Sequence, residues 1–259
     1  MKTEFITVAT AGSIATLTLN RPDKRNAMHG PLMMELQHAL GLLAEDSSRV
    51  LLINGRGENF CAGGDIGWMQ KIAAGSDDEN YRDAQLLADL LYQLYVFPKP
   101  VIVLAHGATL GGGLGFVAAA DIAIAASNAS FGLPEVKIGI TPSIISPYVI
   151  SAIGERMAHY YFLTGERFGA EEAHRIGLIH QVTDANALAS VGVSLAETLL
   201  QNSPWALRSA KQLIRTVARQ KMTLELAQQT SEHLAELRKT PEAREGLQSF
   251  LEKRKPRWV

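Results

Sequence analysis

The segment Ala105-His106-Gly107-Ala108-Thr109-Leu110-Gly111-Gly112-Gly113-Leu114-Gly115-Phe116 decides how the rest of this chain is read. It follows the apolar run Val101–Ala105, which suits a buried strand, and leads into an apolar helical pattern. Glycines at such a junction let the backbone turn tightly and leave N–H groups uncovered by side chains. The spacing does not fit the G-x-G-x-x-G dinucleotide fingerprint, because its last position falls on Phe116, and no P-loop lysine is present. A nucleotide-binding reading fails on both counts.

A second loop of the same kind, Gly55-Arg56-Gly57-Glu58-Asn59-Phe60-Cys61-Ala62-Gly63-Gly64-Asp65-Ile66, also joins a β run to a helical pattern. Taken alone it reads either as an ordinary strand-to-helix turn or as a cradle of N–H groups for an anion or oxyanion. Two such loops are harder to dismiss than one. Short β runs at Ile14–Leu19, Val50–Asn54, Val101–Ala105 and Ile122–Ala125 alternate with helical patterns. One of these opens at Pro31, with Leu32, Leu36, Leu40 and Leu43 at helical spacing, and another runs from about Asn80 to Phe97. The alternation predicts an α/β fold with mainly parallel strands, and no fixed-period repeat is visible. From Asn186 onward only helix signals remain, with Ser203-Pro204, Thr223 and Thr240-Pro241 as successive caps. Residues 1–185 are therefore expected to form the α/β core and residues 186–259 a helical region that docks or mediates assembly.

Composition bounds the function. Of the 259 residues 47% are hydrophobic and 20% charged, enough for a substantial core. A net charge of -1 argues against a general nucleic-acid binder, although Lys253-Arg254-Lys255 could form a local anion site. The single cysteine, Cys61, rules out an intrachain disulfide and a cysteine-based zinc site. The seven histidines lack H-E-x-x-H or comparable spacing, so no metal site is expected. No secretory signal and no apolar run of about 18 residues is visible, and a cytoplasmic, membrane-free location is the expectation.

Among candidate reactive groups, Glu135 stands out in Phe131-Gly132-Leu133-Pro134-Glu135-Val136-Lys137-Ile138-Gly139. Its neighbours are largely apolar; burial would raise its pKa and suit it to moving protons, whereas an exposed glutamate would pair with Lys137 or water. Cys61 reads as a small buried or loop residue, and His106 reads either as a pocket residue or as a satisfied structural histidine. No G-x-S-x-G nucleophile elbow exists. Ser143 reads as a helix N-cap or as a hydrogen-bonding group for a substrate or water.

Taken together these segments resemble the crotonase (enoyl-CoA hydratase/isomerase) superfamily. The resemblance runs in order from Leu19-Asn20-Arg21-Pro22 and Arg25-Asn26-Ala27 through Phe60–Ile66, Leu110–Gly113 with Asp121-Ile122, and Phe131–Glu135 to Phe250–Pro256. It implies a spiral core of ββα units with a C-terminal helical trimerisation region, and a homotrimer or hexamer of stacked trimers. It implies a coenzyme A thioester as substrate, with no further cofactor, lying near Arg25, Ala27, Ala62, Gly63, Gly64, Asp65 and Ile66. Lys253 is expected to reach a phosphate group, on this or a neighbouring subunit. By position the resemblance assigns the oxyanion hole to the N–H groups of Ala62 and Gly112, and proton transfer to Glu135.

One departure matters. The best-known hydratases of the superfamily carry a first catalytic glutamate where this chain has Gly115, so a two-carboxylate mechanism does not carry over whole. Three readings follow: hydration by Glu135 and a water, double-bond isomerisation by Glu135 alone, or acyl-CoA or RNA binding without catalysis. Hydration is favoured by a finer resemblance of Leu114–Ala118, Ile144–Ile150, Tyr161–Phe168 and Phe250–Trp258 to bacterial methylglutaconyl-CoA and isohexenylglutaconyl-CoA hydratases. Their substrates carry a second carboxylate, and a fixed glutamate about 4 Å from it would cost a few kcal/mol at intermediate dielectric. On that reading Gly115 removes the repulsion and opens volume beside the substrate.

Overall fold

The computed structural model describes residues 3–259. The main sheet has six strands in the order β1 (Ile6–Ala11), β2 (Ile14–Leu19), β3 (Val50–Gly55), β4 (Val101–Ala105), β6 (Ile122–Ala126) and β9 (Gln181–Thr183). Only the β1–β2 hairpin is antiparallel; the other pairings are parallel. A second, three-stranded sheet joins β5 (Ala108–Leu110), β7 (Ser130–Gly132) and β8 (Arg167–Gly169).

The chain climbs through these sheets as a spiral. After β3 it touches the second sheet through a Cys61–Thr109 bridge and then forms α2 (Ile66–Ala73) and α3 (Asp77–Tyr95). After β4 come β5 and α4 (Gly112–Ala119); after β6 come β7 and α5 (Ser146–Thr164). A short α6 (Ala170–Arg175) links β8 to β9. Each turn is thus a ββα unit, which is the expected α/β crotonase architecture. The units differ in length and share no side-chain pattern, so the repeat lies in the backbone and leaves no period in the sequence.

Period-two alternation explains how both faces of the sheet are covered. Leu51, Ile53, Val101 and Val103 belong to the larger core, which also takes Leu32, Leu36, Leu40 and Leu43 of α1 (Gly30–Glu45) and Leu90, Leu91 and Leu94 of α3. Val50, Leu52, Ile102 and Leu104 point the other way, against Leu188 and Ala196 of α7 (Leu188–Leu200). There Gly192 permits close approach, because a Cβ would stand 2.7 Å from Leu104 Cδ2. The helices foreseen at Pro31 and Asn80 are α1 and α3. The second starts earlier, because Ser76 and Glu79 form a capping box ahead of Asp77.

After Thr183 the chain is helical: α7, α8 (Pro204–Val217), α9 (Leu224–Arg238) and α10 (Pro241–Leu251). Ser203, Thr223 and Thr240 cap the last three, accepting from the N–H groups of Ala206, Leu226 and Ala243. These three helices bury little of their apolar surface: Leu224 is 91% exposed, Phe250 82% and Leu251 80%. One buried ion pair ties α8 to the core, Lys211 Nζ to Asp121 at 2.6 Å. Among the described residues no helix is long and apolar enough to cross a membrane.

Candidate active site

Three loops meet above the C-terminal ends of β3 and β4. The first, residues 20–29, is held by Asn26, which is fully buried. Its side chain accepts from the Arg21 N–H (2.8 Å) and donates to the carbonyls of Arg56 (3.0 Å) and Asn59 (2.8 Å). All its hydrogen-bonding reach is spent on bracing one loop against another. Arg25 and Asn26 both adopt left-handed backbone, at φ 51 and 54. This turns the Arg25 carbonyl toward the second loop, where it accepts from the N–H of Ala62 at 3.0 Å.

That bond corrects the sequence-based assignment of Ala62. An N–H already bonded to a backbone carbonyl is not free to stabilise an oxyanion. Met28 brackets Gly64, donating to the Gly63 carbonyl (2.7 Å) and accepting from the Asp65 N–H (2.8 Å). The Gly64 N–H between them has no partner among the described residues. Gly112, the first residue of α4, likewise has an N–H without a described acceptor, as helix geometry requires of first-turn donors. The two loops pack closely: a Cβ on Gly63 would lie 3.2 Å from the Leu110 carbonyl oxygen. Gly63 (φ 96) and Gly111 (φ 47) supply the positive φ that orients the free donors.

Ala62, Gly63, Gly64, Ile66, Gly112, Glu135 and Ser143 all line a single cavity of about 600 Å³. Its far wall is built by Trp68 and Met69 of α2 and by Asn80, Asp83 and Leu87 of α3. The Trp68 indole donates to Asp83 Oδ1 at 2.7 Å, which fastens α2 to α3. Sequence reasoning missed these wall residues because α2 and α3 carried no chemical motif; the apolar face Trp68, Met69, Ile72 was the available signal.

Glu135 sits in a 3-10 turn, Pro134–Ile138, that closes the cavity beside Gly111. A Cβ on Gly111 would come within 2.9 Å of Glu135 Oε1, so the absence of a side chain there lets the carboxylate reach the start of α4. Oε2 is buried and has no hydrogen-bond partner among the described residues. Burial pushes the Glu135 carboxyl above the usual carboxylate range. Lys137 is exposed, as a lysine directed to solvent. A half-buried carboxylate with one orphaned oxygen, in a cavity also lined by Gly64 and Gly112 whose N–H groups have no described acceptor, is equipped to move a proton next to a developing oxyanion.

Several expected site residues stand elsewhere. Arg25 is exposed and Ala27 buried, and neither lines the cavity; their carbonyls instead brace Ala62 and Arg21. The Asp65 carboxylate is not available to coenzyme A, because it pairs with Arg21 (2.7 Å) and caps α2 through the Trp68 N–H (3.1 Å). Lys253 is away from this chain's own cavity. The tail that carries it is fastened by Arg49, just before β3, which donates to the Trp258 carbonyl at 2.6 Å. The site loops follow the other end of that strand. Ser143 is not a side-chain N-cap: its hydroxyl lies 2.6 Å from that of Thr141, and the residue faces the cavity.

Gly115 does not open volume. A Cβ there would stand 2.5 Å from Ile145 Cγ2 and 3.3 Å from Leu91 Cδ1, so an isoleucine already fills the space. Cys61 is buried, which pushes its thiol up to about 12 and keeps it protonated and inert. His106 bonds the Gly57 carbonyl at 3.0 Å and does not line the cavity. Among the described residues no cluster of three His, Cys, Asp or Glu side chains is placed to hold a metal ion.

Residues 9–259 match the family model described as enoyl-CoA hydratase/isomerase. The chain is 34% identical to a 2,3-dehydroadipyl-CoA hydratase of Escherichia coli, over 94% of each chain. It is 33% identical to a short-chain-enoyl-CoA hydratase of Clostridium acetobutylicum, covering 94% of this chain and 93% of that protein. Among solved structures, an enoyl-CoA hydratase from Shewanella pealeana superposes with a TM-score of 0.96 at 38% identity, over 99% of this chain and 97% of that one.

Proposed function

This chain belongs to the enoyl-CoA hydratase/isomerase family, and from that premise we propose that it adds water across the α,β double bond of an acyl-CoA thioester. The observation that carries the proposal is the buried, unpartnered Oε2 of Glu135, facing one cavity with the unbonded N–H groups of Gly64 and Gly112. In the proposed reaction Glu135 takes a proton from water as the water oxygen bonds to C3. The π electrons shift through C2 onto the thioester oxygen, where the two N–H groups stabilise the enolate. Glu135 then returns its proton to C2. One fixed donor of this kind contributes about 3–4 kcal/mol to the transition state.

For the acyl group, the resemblance at Leu114–Ala118 and Ile144–Ile150 supports a 3-methylglutaconyl-like skeleton. Asp83 at the cavity wall would repel a carboxylated tail placed beside it, so a second carboxylate has to lie away from α3. Purified protein should be assayed on 2-enoyl, 3-enoyl and 3-methylglutaconyl thioesters, with products identified. Formation of 3-hydroxyacyl-CoA supports hydration, and turnover of 3-enoyl thioesters alone would replace it with isomerisation. Gly115 favours that second reading to this extent: α4 carries no carboxylate to pair with Glu135, and one movable base is sufficient for isomerisation. Tight coenzyme A binding without turnover would instead support a binding role.

Assembly belongs to the same proposal. The exposed apolar residues of α8 to α10 support these three helices as the assembly surface of a trimer or a hexamer of trimers, while α7 is docked on the core. In such an assembly Lys253 would serve coenzyme A bound to a neighbouring subunit. Light scattering on the purified protein tests the stoichiometry.

A further inference from the structure

The residue that fills the place beside Gly115 has a consequence for substrate choice. Glu135 packs over Gly111, and Ile145 packs over Gly115, which lies one helical turn further along α4. Ile145 is 3% exposed and, unlike Gly115, lines the cavity. Its position is fixed from behind, because its carbonyl accepts from the N–H groups of Tyr148 and Val149 as α5 begins. It cannot retreat toward Gly115 either, since the gap there is too small even for a methyl group.

The oxyanion donor Gly112 and the base Glu135 together fix where the thioester carbonyl and the neighbouring carbons lie. A substituent on C3 that runs along α4 therefore meets the Ile145 side chain. We propose that Ile145 is a specificity-determining residue that limits the size of the branch at C3, its shape set by the contact with Gly115. This rests on the acyl-CoA reading of the site but not on the reaction being hydration.

The test is a binding measurement, so that it is separate from turnover. Dissociation constants of butyryl-CoA and of the bulkier 3,3-dimethylbutyryl-CoA are measured on the full chain and on Ile145→Val and Ile145→Ala. A methylene in an apolar pocket discriminates by roughly 10–200-fold. Ile145→Val should therefore shift the ratio of the two constants by about tenfold toward the branched ligand, and Ile145→Ala further. A ratio within twofold of the wild type in both folded variants overturns the proposal. Failure of the wild type to bind either thioester overturns the acyl-CoA reading along with it. Melting temperatures supply the second arm. Gly115→Ala should lower the melting temperature, and adding Ile145→Ala should recover part of the loss. Independent, additive losses would show that the two residues are not a matched pair, and would also count against the proposal.

Discussion

The N–H of Ala62 donates to the carbonyl of Arg25 over 3.0 Å, whereas that of Gly64, bracketed by the two bonds of Met28 on the same loop, has no described acceptor. The bond exists because Arg25 adopts left-handed backbone, held in place by Asn26 beside it. It takes Ala62 out of the donors left for a substrate oxygen, and the proposed reaction uses Gly64 instead. Gly64→Pro removes that donor and should lower kcat by about 100-fold or more. Gly64→Ala retains it and asks only that Met69 move, since the added Cβ would stand 2.7 Å from its sulfur. That variant should keep most of its rate. Equal loss in both, at unchanged melting temperature, would point away from Gly64 as a donor.

Glu135→Gln keeps the volume of the side chain and removes its ability to accept a proton. Turnover should fall at least about 100-fold, with thioester binding within a few-fold of the wild type. An unchanged rate would remove Glu135 from the mechanism.

The raised pKa of Glu135 has two pH consequences. In the proposed reaction its carboxylate form is the base, so the acid limb of kcat/KM should lie above the ordinary glutamate value and vanish in Glu135→Gln. For stability the sign is opposite. The folded state holds this proton more tightly than the unfolded state, so the contribution is fully present below the unfolded pKa and is lost as pH rises through the folded value. Glu135→Gln should therefore gain stability relative to the wild type on going from acid to neutral pH, as read from denaturation at each pH.

Asp121 and Lys211 form the buried link between α8 and the core. Lys211 also donates to the Lys99 carbonyl at 2.7 Å, and Asp121 accepts from the Val101 N–H at 2.7 Å. Burial disfavours the charge on each, pushing the carboxyl up and the ammonium down, and the pair holds because each offsets the other. Asp121→Asn leaves an uncompensated buried ammonium and should cost about 3–5 kcal/mol in chemical denaturation. A cost below about 1 kcal/mol would mean that Lys211 escapes to solvent.

Local pattern alone settles the larger elements and the class of fold. Apolar runs at Val50, Val101 and Ile122 mark strands buried on both faces, and leucines at helical spacing mark α1 and α3, because period and burial are written along the chain itself. The caps at Ser203, Thr223 and Thr240 are legible for the same reason. The three-residue strands β5, β7, β8 and β9 are not: too short to show a period, they exist only because neighbouring strands offer partners. The glycine loops and Glu135 are legible as chemistry, but not which N–H groups remain free. That depends on where a carbonyl from residue 25 lands, a relationship across more than thirty residues that is fixed only when the loops pack. So is the meaning of Gly115: in sequence it is a missing glutamate and a gap, and in the fold it is the seat of Ile145.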